Sequence, residues 1–244
     1  MLETPESLGP RSGKAPRIGL SADKSYAYLL GVFLGDGCVT RYNNGIAFRM
    51  NTIDEDFALA VKAALGELTE VPTRIWKYSV KKSSKPNFSL CCADQKLCNN
   101  LRSDTSNKTR IPLNKLEANE GAFVIGLMDS EGFVAKKTGA TTEKSYYMGF
   151  KSCDVWVPKF VSLLQSLGLK IGKVSQCPPY KAHYKTPTRF HIKMQSWVNS
   201  GLRFNIKRKQ DRVDVWANTM PYANRTTKKE LISETTRQGA YACA

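Results

Sequence analysis

Two short segments of this 244-residue chain carry nearly the same pattern, and they constrain the fold more than any other feature. Tyr28–Gly37 and Phe123–Gly132 are each an apolar run with small residues four positions apart, followed by an acid and a glycine. The two acids, Asp36 and Glu131, are 95 residues apart. A pattern that occurs twice predicts a duplicated, pseudo-symmetric molecule whose two copies meet at two carboxylates.

The duplication extends beyond these two segments. Asn51–Asp54 matches Lys151–Asp154 at an offset of 100 residues, and an apolar helical pattern follows each match. Further along, Phe88–Cys92 resembles Phe190–Met194. An ordered series of matches at a nearly constant offset indicates duplication of a whole half of the chain.

Within each copy the periodicity predicts three helices and four strands. Apolar and polar residues alternate in the strands, which indicates one buried face, and Asp54 and Asp154 stand where helix N-caps are expected. The fold class is therefore α+β: two pseudo-symmetric αββαββα halves, each an antiparallel sheet saddle backed by helices, joined through the two motif helices. The strand ranges with the clearest patterns are 46–51, 73–80, 87–92, 146–151, 170–176 and 188–195. The expected domains are a flexible lead-in (1–22), a first half (23–112), a linker (113–118), a second half (119–220) and a tail (221–244).

The charge of the chain favours a polyanionic partner. It has 37 Lys and Arg residues against 21 Asp and Glu, for a formal net charge of +16. Nucleic acid fits such a basic folded protein better than a membrane surface, and no apolar run reaches the ~18 residues of a membrane-spanning helix. The seven cysteines lack zinc-site spacing, so we expect an intracellular, reducing compartment, either a prokaryotic cytoplasm or an organelle matrix.

The polar faces of the predicted strands are cationic in both copies. Arg189, His191 and Lys193 share one side of their strand, while Arg74 begins a similar row in the first copy. A charged strand face is commonly just solvated. The same bias in both copies, at this net charge, predicts a basic saddle for double-stranded DNA, because the major groove admits a two-stranded ribbon. The predicted DNA-contacting residues are Thr40, Tyr42, Arg49, Arg74, Trp76, Tyr78, Asn87, Ser89, Lys137, Tyr147, Lys173, Ser175, Arg189, His191 and Lys193.

The two acids stand at the C-terminal ends of the predicted helices, where electrostatics disfavours them. Small residues four apart lie on one face of each helix, which predicts close packing of the two helices. Packed side by side, Asp36 and Glu131 would repel each other and the partial negative charge of both helix ends. A divalent cation resolves this conflict, and Mg²⁺ prefers oxygen ligands. The predicted ligands are the side chains of Asp36 and Glu131 and the backbone carbonyls of Gly35 and Ser130.

These motifs resemble the two signature segments of the LAGLIDADG homing endonucleases in their single-chain form, and the resemblance covers Ser25 to about Pro221. The αββαββα order is also that of the family's half-domain. The resemblance implies that Asp36 and Glu131 are the catalytic metal-binding acids, and that Asp129, the earlier acid of the second motif, does not bind metal. It implies Mg²⁺ as the cofactor; Mn²⁺ is expected to substitute, and Ca²⁺ to bind without supporting efficient cleavage.

The resemblance also indicates further catalytic candidates. Segments 107–112 and 204–210 resemble the region where family members place a basic residue near the scissile phosphates. Polar residues at the end of the second strand lie beside the family's active site, and there Thr52 and Ser152 stay open as alternatives to their neighbours. The catalytic candidates are Asp36, Glu131, Lys108, Lys207, Asn51 and Lys151.

The implied function is site-specific cleavage of double-stranded DNA by a free-standing, intron-encoded monomer. It would hydrolyse one phosphodiester per strand in a long pseudo-palindromic site, and two copies that differ this much should read different half-sites and cut at unequal rates. A non-cleaving use of the same fold stays open, as an RNA-splicing maturase that binds intron RNA or as a regulator. Loss of one central acid would mark that use, and both acids are present. Insertion in an intein is not expected, because no splicing residues flank the motifs.

Overall fold

The computed structural model of the protein describes residues 22–79, 86–116, 118–137, 146–152, 155–176 and 187–219. The first half comprises α1 (Ala22–Leu34), β1 (Cys38–Tyr42), β2 (Gly45–Thr52), α2 (Glu55–Leu68), β3 (Arg74–Ser79), β4 (Pro86–Cys92) and α3 (Gln95–Asp104), followed by a 3₁₀ turn (Leu113–Lys115). The second half comprises α4 (Glu120–Ser130), β5 (Gly132–Lys136), β6 (Tyr146–Ser152), α5 (Val157–Ser166), β7 (Ile171–Gln176), β8 (Thr188–Ile192), α6 (Met194–Asn199) and α7 (Lys207–Thr219). Residues 1–21 of the predicted lead-in, the whole predicted tail and Asp154 lie outside the described residues.

Within the described residues, each half forms a four-stranded antiparallel sheet. The strand orders are β1-β2-β4-β3 and β5-β6-β8-β7, so the two sheets have the same topology. Their registers also correspond, since Arg49 lies opposite Cys91 just as Gly149 lies opposite His191. The predicted α+β fold with two pseudo-symmetric halves is confirmed.

The register corrects one part of the predicted repeat. Met50 pairs with Leu90, and Phe150 pairs with Phe190, so Leu90 is the counterpart of Phe190. The sequence repeat matches Phe88 with Phe190 instead, which is a slip of two residues. A slip of two keeps every side chain on its correct face, because side chains alternate with a period of two.

Strand β8 is also shorter than predicted. It ends at Ile192, and Lys193 is the N-cap of α6. The predicted continuation of the strand to residue 195 is therefore wrong. The apolar alternation continues through Met194 because the first turn of α6 faces the same core, where Met194 and Trp197 are buried.

The two halves meet along α1 and α4, the helices that carry the repeated motifs. A Cβ atom placed on Gly31 would lie 2.2 Å from the carbonyl oxygen of Phe123, and one on Gly126 would lie 2.1 Å from that of Tyr28. The two backbones are thus in direct contact, as the small residues predict. Both helices are buried on nearly every side, as expected for helices at the centre of a molecule.

Two further expectations concern the environment of the protein. In the part of the chain that the structure describes, no helix is both long and apolar enough to cross a membrane. Cys38, Cys91, Cys92 and Cys98 are free thiols. All but Cys38 are buried, where a reduced cysteine packs as a small apolar residue.

Candidate active site

The central acids directly follow the contact between α1 and α4. Helix α1 ends at Leu34, and Asp36 lies in the turn before β1; Glu131 is the C-cap of α4. A Cβ atom on Gly35 would lie 2.4 Å from Cβ of Ser130 and 3.2 Å from Cγ of Glu131. The glycine therefore lets the C-terminal ends of the two helices touch, and it brings both acid-bearing turns to one place.

A cleft of about 290 Å³ opens at this junction. It is lined by Asp36, Ser130 and the predicted catalytic residue Asn51. Thr52, which the sequence leaves open as an alternative to Asn51, also lines it. Its full lining is Asp36, Asn51, Thr52, Ile53, Asp54, Phe57, Asn87, Asp129, Ser130 and Arg208. The cleft is polar and rich in carboxylates, which suits a cation.

The environment of Asp36 is tuned by burial and by two cations. Atoms packed around the helix ends desolvate the carboxylate and raise its pKa, although the side chain keeps access to solvent from the cleft. The positive charges of Lys209 and Lys108 oppose this shift, and the negative charge of Asp54 adds to it. A carboxylate whose charge is disfavoured in this way gains from a bound cation.

The donor set fits a magnesium ion better than a transition metal. Among the described residues, no three His, Cys, Asp or Glu side chains cluster as a complete metal site. Magnesium needs no such cage, because it commonly binds one or two carboxylates and completes its shell with phosphate oxygens and water. The carboxylates of Asp36 and Glu131 could supply the protein part of such a shell.

Lys108, one of the catalytic candidates, contacts the C-terminal end of α1. Its Nζ donates hydrogen bonds to the carbonyl oxygens of Gly35 and Gly37 at 2.7 and 3.1 Å. These carbonyls flank Asp36. The Gly35 carbonyl, a predicted metal ligand, thus already accepts a hydrogen bond from an ammonium group, and it would bind the ion through its second lone pair.

Lys207 does not take the corresponding place in the second half. Its side chain is 78% exposed, and its Nζ donates to Oδ2 of Asp211 at 2.6 Å, one turn along α7. Lys209 points inward instead. It is 3% exposed, and its Nζ donates to the carbonyls of Met128 and Asp129 at 2.9 and 2.5 Å. The structure therefore places Lys209, and not Lys207, beside the central acids.

Sequence reasoning missed Lys209 although a signal for it exists. Ile206, Val213 and Trp216 recur at helical spacing and are buried in the structure. This apolar stripe puts position 209 on the inner face of α7 and position 207 on the outer face. Burial lowers the pKa of Lys209 to about 8, while the charge of Asp129 opposes the shift.

Asp129 serves as an anchor for the segment before α7. It is 1% exposed. Its Oδ2 accepts hydrogen bonds from the Tyr28 hydroxyl at 3.2 Å and from the backbone and side-chain nitrogens of Asn205 at 3.3 and 3.1 Å. Burial raises its pKa to about 6 against the effect of Lys209 and these donors. The carboxylate is thus engaged in holding this segment, and the expectation that Asp129 does not bind metal stays a prediction.

Asp54 stands at the N-cap position of α2, but its carboxylate accepts no hydrogen bond from that helix. It accepts two from Arg208 of the second half instead, at 2.6 and 2.8 Å. The predicted side-chain cap is therefore wrong, because a guanidinium 154 positions away competes for the same oxygens. Nothing local in the sequence indicates this ion pair.

The predicted DNA-contacting residues of the first half share one face of their sheet. Directly opposed residues of an antiparallel pair project to the same side, and so do residues two apart on one strand. These two relations place all of the predicted residues of this half on one face. Arg49 opposes Cys91, which opposes Arg74; Asn51 opposes Ser89. The residues on this groove face are Thr40, Tyr42, Arg49, Asn51, Arg74, Trp76, Tyr78, Asn87 and Ser89.

The groove face of the second sheet is built in the same way. Lys151 lies opposite Arg189, which lies opposite Ser175, and Lys151 is exposed there. Tyr147 and His191 belong to the same face. The other three predicted residues are placed less regularly: Lys173 lies in a bulge of β7, and Lys137 and Lys193 lie just beyond strand ends.

Phe133 is a groove-face residue that sequence reasoning missed. Its ring lies 5.7 Å from that of Tyr147 and 6.3 Å from that of His191, and the guanidinium of Arg189 stacks over it at 5.5 Å. Gly149 makes room for this cluster, since a Cβ atom there would lie 2.8 Å from the Phe133 ring. A signal for Phe133 exists in the sequence. Side chains alternate along a strand, and Phe133 stands two residues after Glu131, so the two are expected on the same side.

Comparison with known proteins supports this description of the fold. The sequence matches no protein-family model, and it matches no curated protein either. Among solved structures, the homing endonuclease I-WcaI bound to its DNA recognition sequence is similar to 80% of this chain and 88% of its own, with 10% identity and a TM-score of 0.53.

Two other solved structures show weaker likeness. Mesophilic variants of the homing endonuclease I-DmoI match 74% of this chain and 90% of their own, with 17% identity and a TM-score of 0.49. The N-terminal LAGLIDADG domain of DUF199/WhiA matches 86% of this chain and 88% of its own, with 11% identity and a TM-score of 0.48. The likeness to I-WcaI confirms the fold expected from the two motifs: the chain has the fold of the LAGLIDADG homing endonucleases.

Proposed function

We propose that this chain is a metal-dependent, site-specific DNA endonuclease that cuts both strands of a long pseudo-palindromic target. The observation that carries the proposal is the junction of α1 and α4, where Asp36 and Glu131 follow a direct contact between the two helix ends. Lys108 and Lys209 bring one ammonium group to this junction from each half. Both acids come from one chain, so the proposed enzyme acts as a monomer.

The DNA would lie across the two groove faces. Both faces present arginine and aromatic side chains, and the second adds Lys151; the chain as a whole has an excess of 16 positive charges. Lysine and arginine side chains that contact the phosphate backbone of DNA release its counterions, and this release drives binding. The likeness to I-WcaI, which was solved bound to its DNA recognition sequence, supports the same class of partner.

The divalent ion would be held by the carboxylates of Asp36 and Glu131, with the carbonyl of Ser130 as a further candidate ligand. Bound there, Mg²⁺ would supply Lewis-acid stabilisation of the scissile phosphate and lower the pKa of a coordinated water. Mn²⁺ should substitute, and Ca²⁺ should support binding without efficient cleavage.

The protein's own residues would then act on the phosphodiester. Lys108 and Lys209 sit where their charges can offset the negative charge that develops on the phosphate in the transition state. Asn51 faces the cleft and can orient an attacking water through its amide. Lys151 lies on the groove face of the other half and can hold a backbone phosphate of the bound DNA.

The proposal is tested by selecting cleaved sites from a randomised DNA library in Mg²⁺ and then changing the central acids. Asp36→Asn and Glu131→Gln should each slow cleavage by at least about 10²-fold, because each removes a ligand of the proposed ion. Binding of the selected DNA in a gel-shift assay should persist.

The matched controls are Asp23→Asn and Glu120→Gln, which alter acids in the first turns of the same two helices. They should leave cleavage unchanged. A central-acid variant that still cuts at the full rate would contradict the assignment of the metal site. Tight binding of intron RNA without any DNA cleavage would instead support the maturase function that the sequence leaves open.

A further inference from the structure

A guanidinium from the second half crosses to the first half at the edge of the central cleft. Arg208 donates from Nε and Nη2 to the two carboxylate oxygens of Asp54, at 2.6 and 2.8 Å. One residue earlier, the backbone N–H of Lys207 donates to the carboxylate of Asp56. These four residues join the N-termini of α7 and α2, and we refer to them as the inter-half clasp.

The clasp is part of the wall of the cleft. Asp54 and Arg208 both line it, together with Asp36. The side chain of Asp54 is only 11% exposed, whereas that of Arg208 is 45% exposed. The guanidinium thus covers the carboxylate and keeps much of its own surface open to the cleft.

The geometry of the pair fixes the orientation of the guanidinium. A bidentate contact holds the planar group by two parallel hydrogen bonds, and Arg loses little further side-chain entropy when it then binds an anion. Nη1 makes no hydrogen bond within the described ranges, and its two N–H groups remain available. Phosphate oxygens are the acceptors that such a group recognises best.

Asp54 also needs this partner. An unpaired carboxylate beside Asp36 would add a further negative charge to the cleft and repel an incoming phosphodiester. Arg208 neutralises that charge and adds open N–H groups of its own. The pair as a whole therefore removes one negative charge from the cleft and offers N–H groups to a phosphate.

The described residues of the first half contain no equivalent group. Lys108 and Lys209 both approach the motif helices, so Asn107, the residue before Lys108, corresponds to Arg208. Asn107 is short and uncharged, and it stands in a left-handed turn with φ 52°. The second half thus contributes a guanidinium to the edge of the cleft, and the corresponding residue of the first half does not.

We propose that Arg208 binds the phosphodiester of one DNA strand beside the cleft, and that Asp54 positions Arg208 for this contact. This inference rests on the proposed endonuclease function and specifies which side chain makes the two cuts unequal. The strand that contacts Arg208 is held in place more firmly and is cut faster than the strand that passes the Asn107 side.

The test measures the cleavage rate of each strand separately. A selected target duplex carries a different label on each strand and is cut by saturating enzyme in Mg²⁺. Arg208→Ala should slow one strand by at least about tenfold, and the other by less than about twofold, since it removes one charged contact to one phosphate. Asp54→Asn should slow the same strand by a smaller factor, because Arg208 remains but is no longer held.

A charge swap separates phosphate binding from simple tethering of the two halves. The double variant Asp54→Arg/Arg208→Asp keeps an ion pair between α2 and α7 but removes the guanidinium from α7. It should retain the strand-selective defect of Arg208→Ala. Arg203→Ala is the matched control, because it breaks an exposed pair with Asp214 in the same region of the chain; both strand rates should stay unchanged.

Two results would overturn the inference. One is an unchanged ratio of the two strand rates in Arg208→Ala, whether both rates fall equally or neither falls. The other is full rescue of the Arg208→Ala defect by the charge swap, because an ion pair between α2 and α7 would then suffice without a guanidinium on α7. An unmodified protein that cuts no selected DNA at all would instead overturn the proposed function itself.

Discussion

The first half delivers its central lysine from a turn, and the second half delivers its lysine from a helix. Ser106, Asn107 and Lys108 have φ values of 45°, 52° and 72°, a left-handed run that is uncommon for residues with side chains. Lys209 lies in the first turn of α7. Each ammonium nevertheless donates to two carbonyls of a motif segment. The pseudo-symmetry thus preserves an ammonium group at each motif segment, while its acceptors and the backbone that supplies it have diverged.

The groove faces of the two halves differ more deeply. At corresponding positions the first sheet carries Cys38, Arg49 and Cys91, whereas the second carries Phe133, Gly149 and His191. One face therefore offers hydrogen-bond donors, and the other an aromatic platform. Burial lowers the pKa of His191, aided by the nearby charges of Arg189 and Lys193, so its ring joins this platform in the neutral form at pH 7. Two half-sites read by such faces should differ in sequence.

The largest effect is expected where the two halves are most alike, at the contact between α1 and α4. Gly126→Ala should lower the free energy of unfolding by about 3 kcal/mol, because the new Cβ atom would overlap the backbone of Tyr28 and the helices must separate. Gly31→Ala should cost a similar amount. Denaturant titration followed by circular dichroism measures both.

Gly66→Ala is the matched control for these two variants. Gly66 is a helical glycine of α2, and a Cβ atom added there would meet nothing within 4 Å. Its replacement should stabilise the protein by roughly 0.5–1 kcal/mol, since alanine restricts the unfolded chain and favours the helix. If Gly126→Ala proved as harmless as Gly66→Ala, the direct backbone contact would be disproved.

A second prediction concerns the buried lysine of the second half. Below pH 8 the folded protein holds Lys209 charged, and the full cost of burying that charge is present. Between about pH 8 and 10.5 the unfolded chain binds more protons at this site than the folded one, so stability rises with pH. The stability of the unmodified protein relative to Lys209→Met should therefore rise by up to ~3 kcal/mol across this window.

The charges that act on Lys209 are those of Asp129, Arg208, Asp54 and Asp36. Lys207→Met is the control on the same helix. Asp211 raises the pKa of Lys207, so that side chain stays protonated in the folded state through the window. The stability of the unmodified protein relative to Lys207→Met should therefore change little with pH. A flat difference for Lys209→Met as well would mean that the ammonium of Lys209 is not buried as the structure describes.

A third prediction compares the readout of the two half-sites. Arg49 stacks over Tyr42 at 5.1 Å, and a guanidinium held in this way is suited to a guanine, while the Phe133 platform is suited to a thymine methyl group. Arg49→Ser should relax the base preference in the first half-site only, and Phe133→Ser in the second only, each by about tenfold. Selection of bound DNA in Ca²⁺ measures both preferences without cleavage. Loss of preference in both half-sites from one substitution would show that the halves do not read DNA separately.

The fold was predictable because the helical spacing of apolar residues, the alternation in the strands and the repeated motif all indicate the same architecture. The contact of α1 and α4 follows from small residues four apart, and Lys108 follows from the family resemblance of its segment. Arg208 and Asp54 were not predictable, because their pairing joins residues 154 positions apart and neither has a local signature. The cluster around Phe133 depends on three strands and on the space above Gly149, which only the folded sheet defines.

The smallest expected effects concern single phosphate contacts at the two outer strands. Arg74 on β3 and Lys173 in the β7 bulge are both exposed cations at the edges of the groove faces. Arg74→Ala and Lys173→Ala should each reduce the slope of log K against log salt by ~1, because each removes one site of counterion release. Lys62→Ala, on the exposed side of α2, should leave the slope unchanged. If only one of the two groove variants changed the slope, the DNA would contact the outer strand of one half and pass clear of the other.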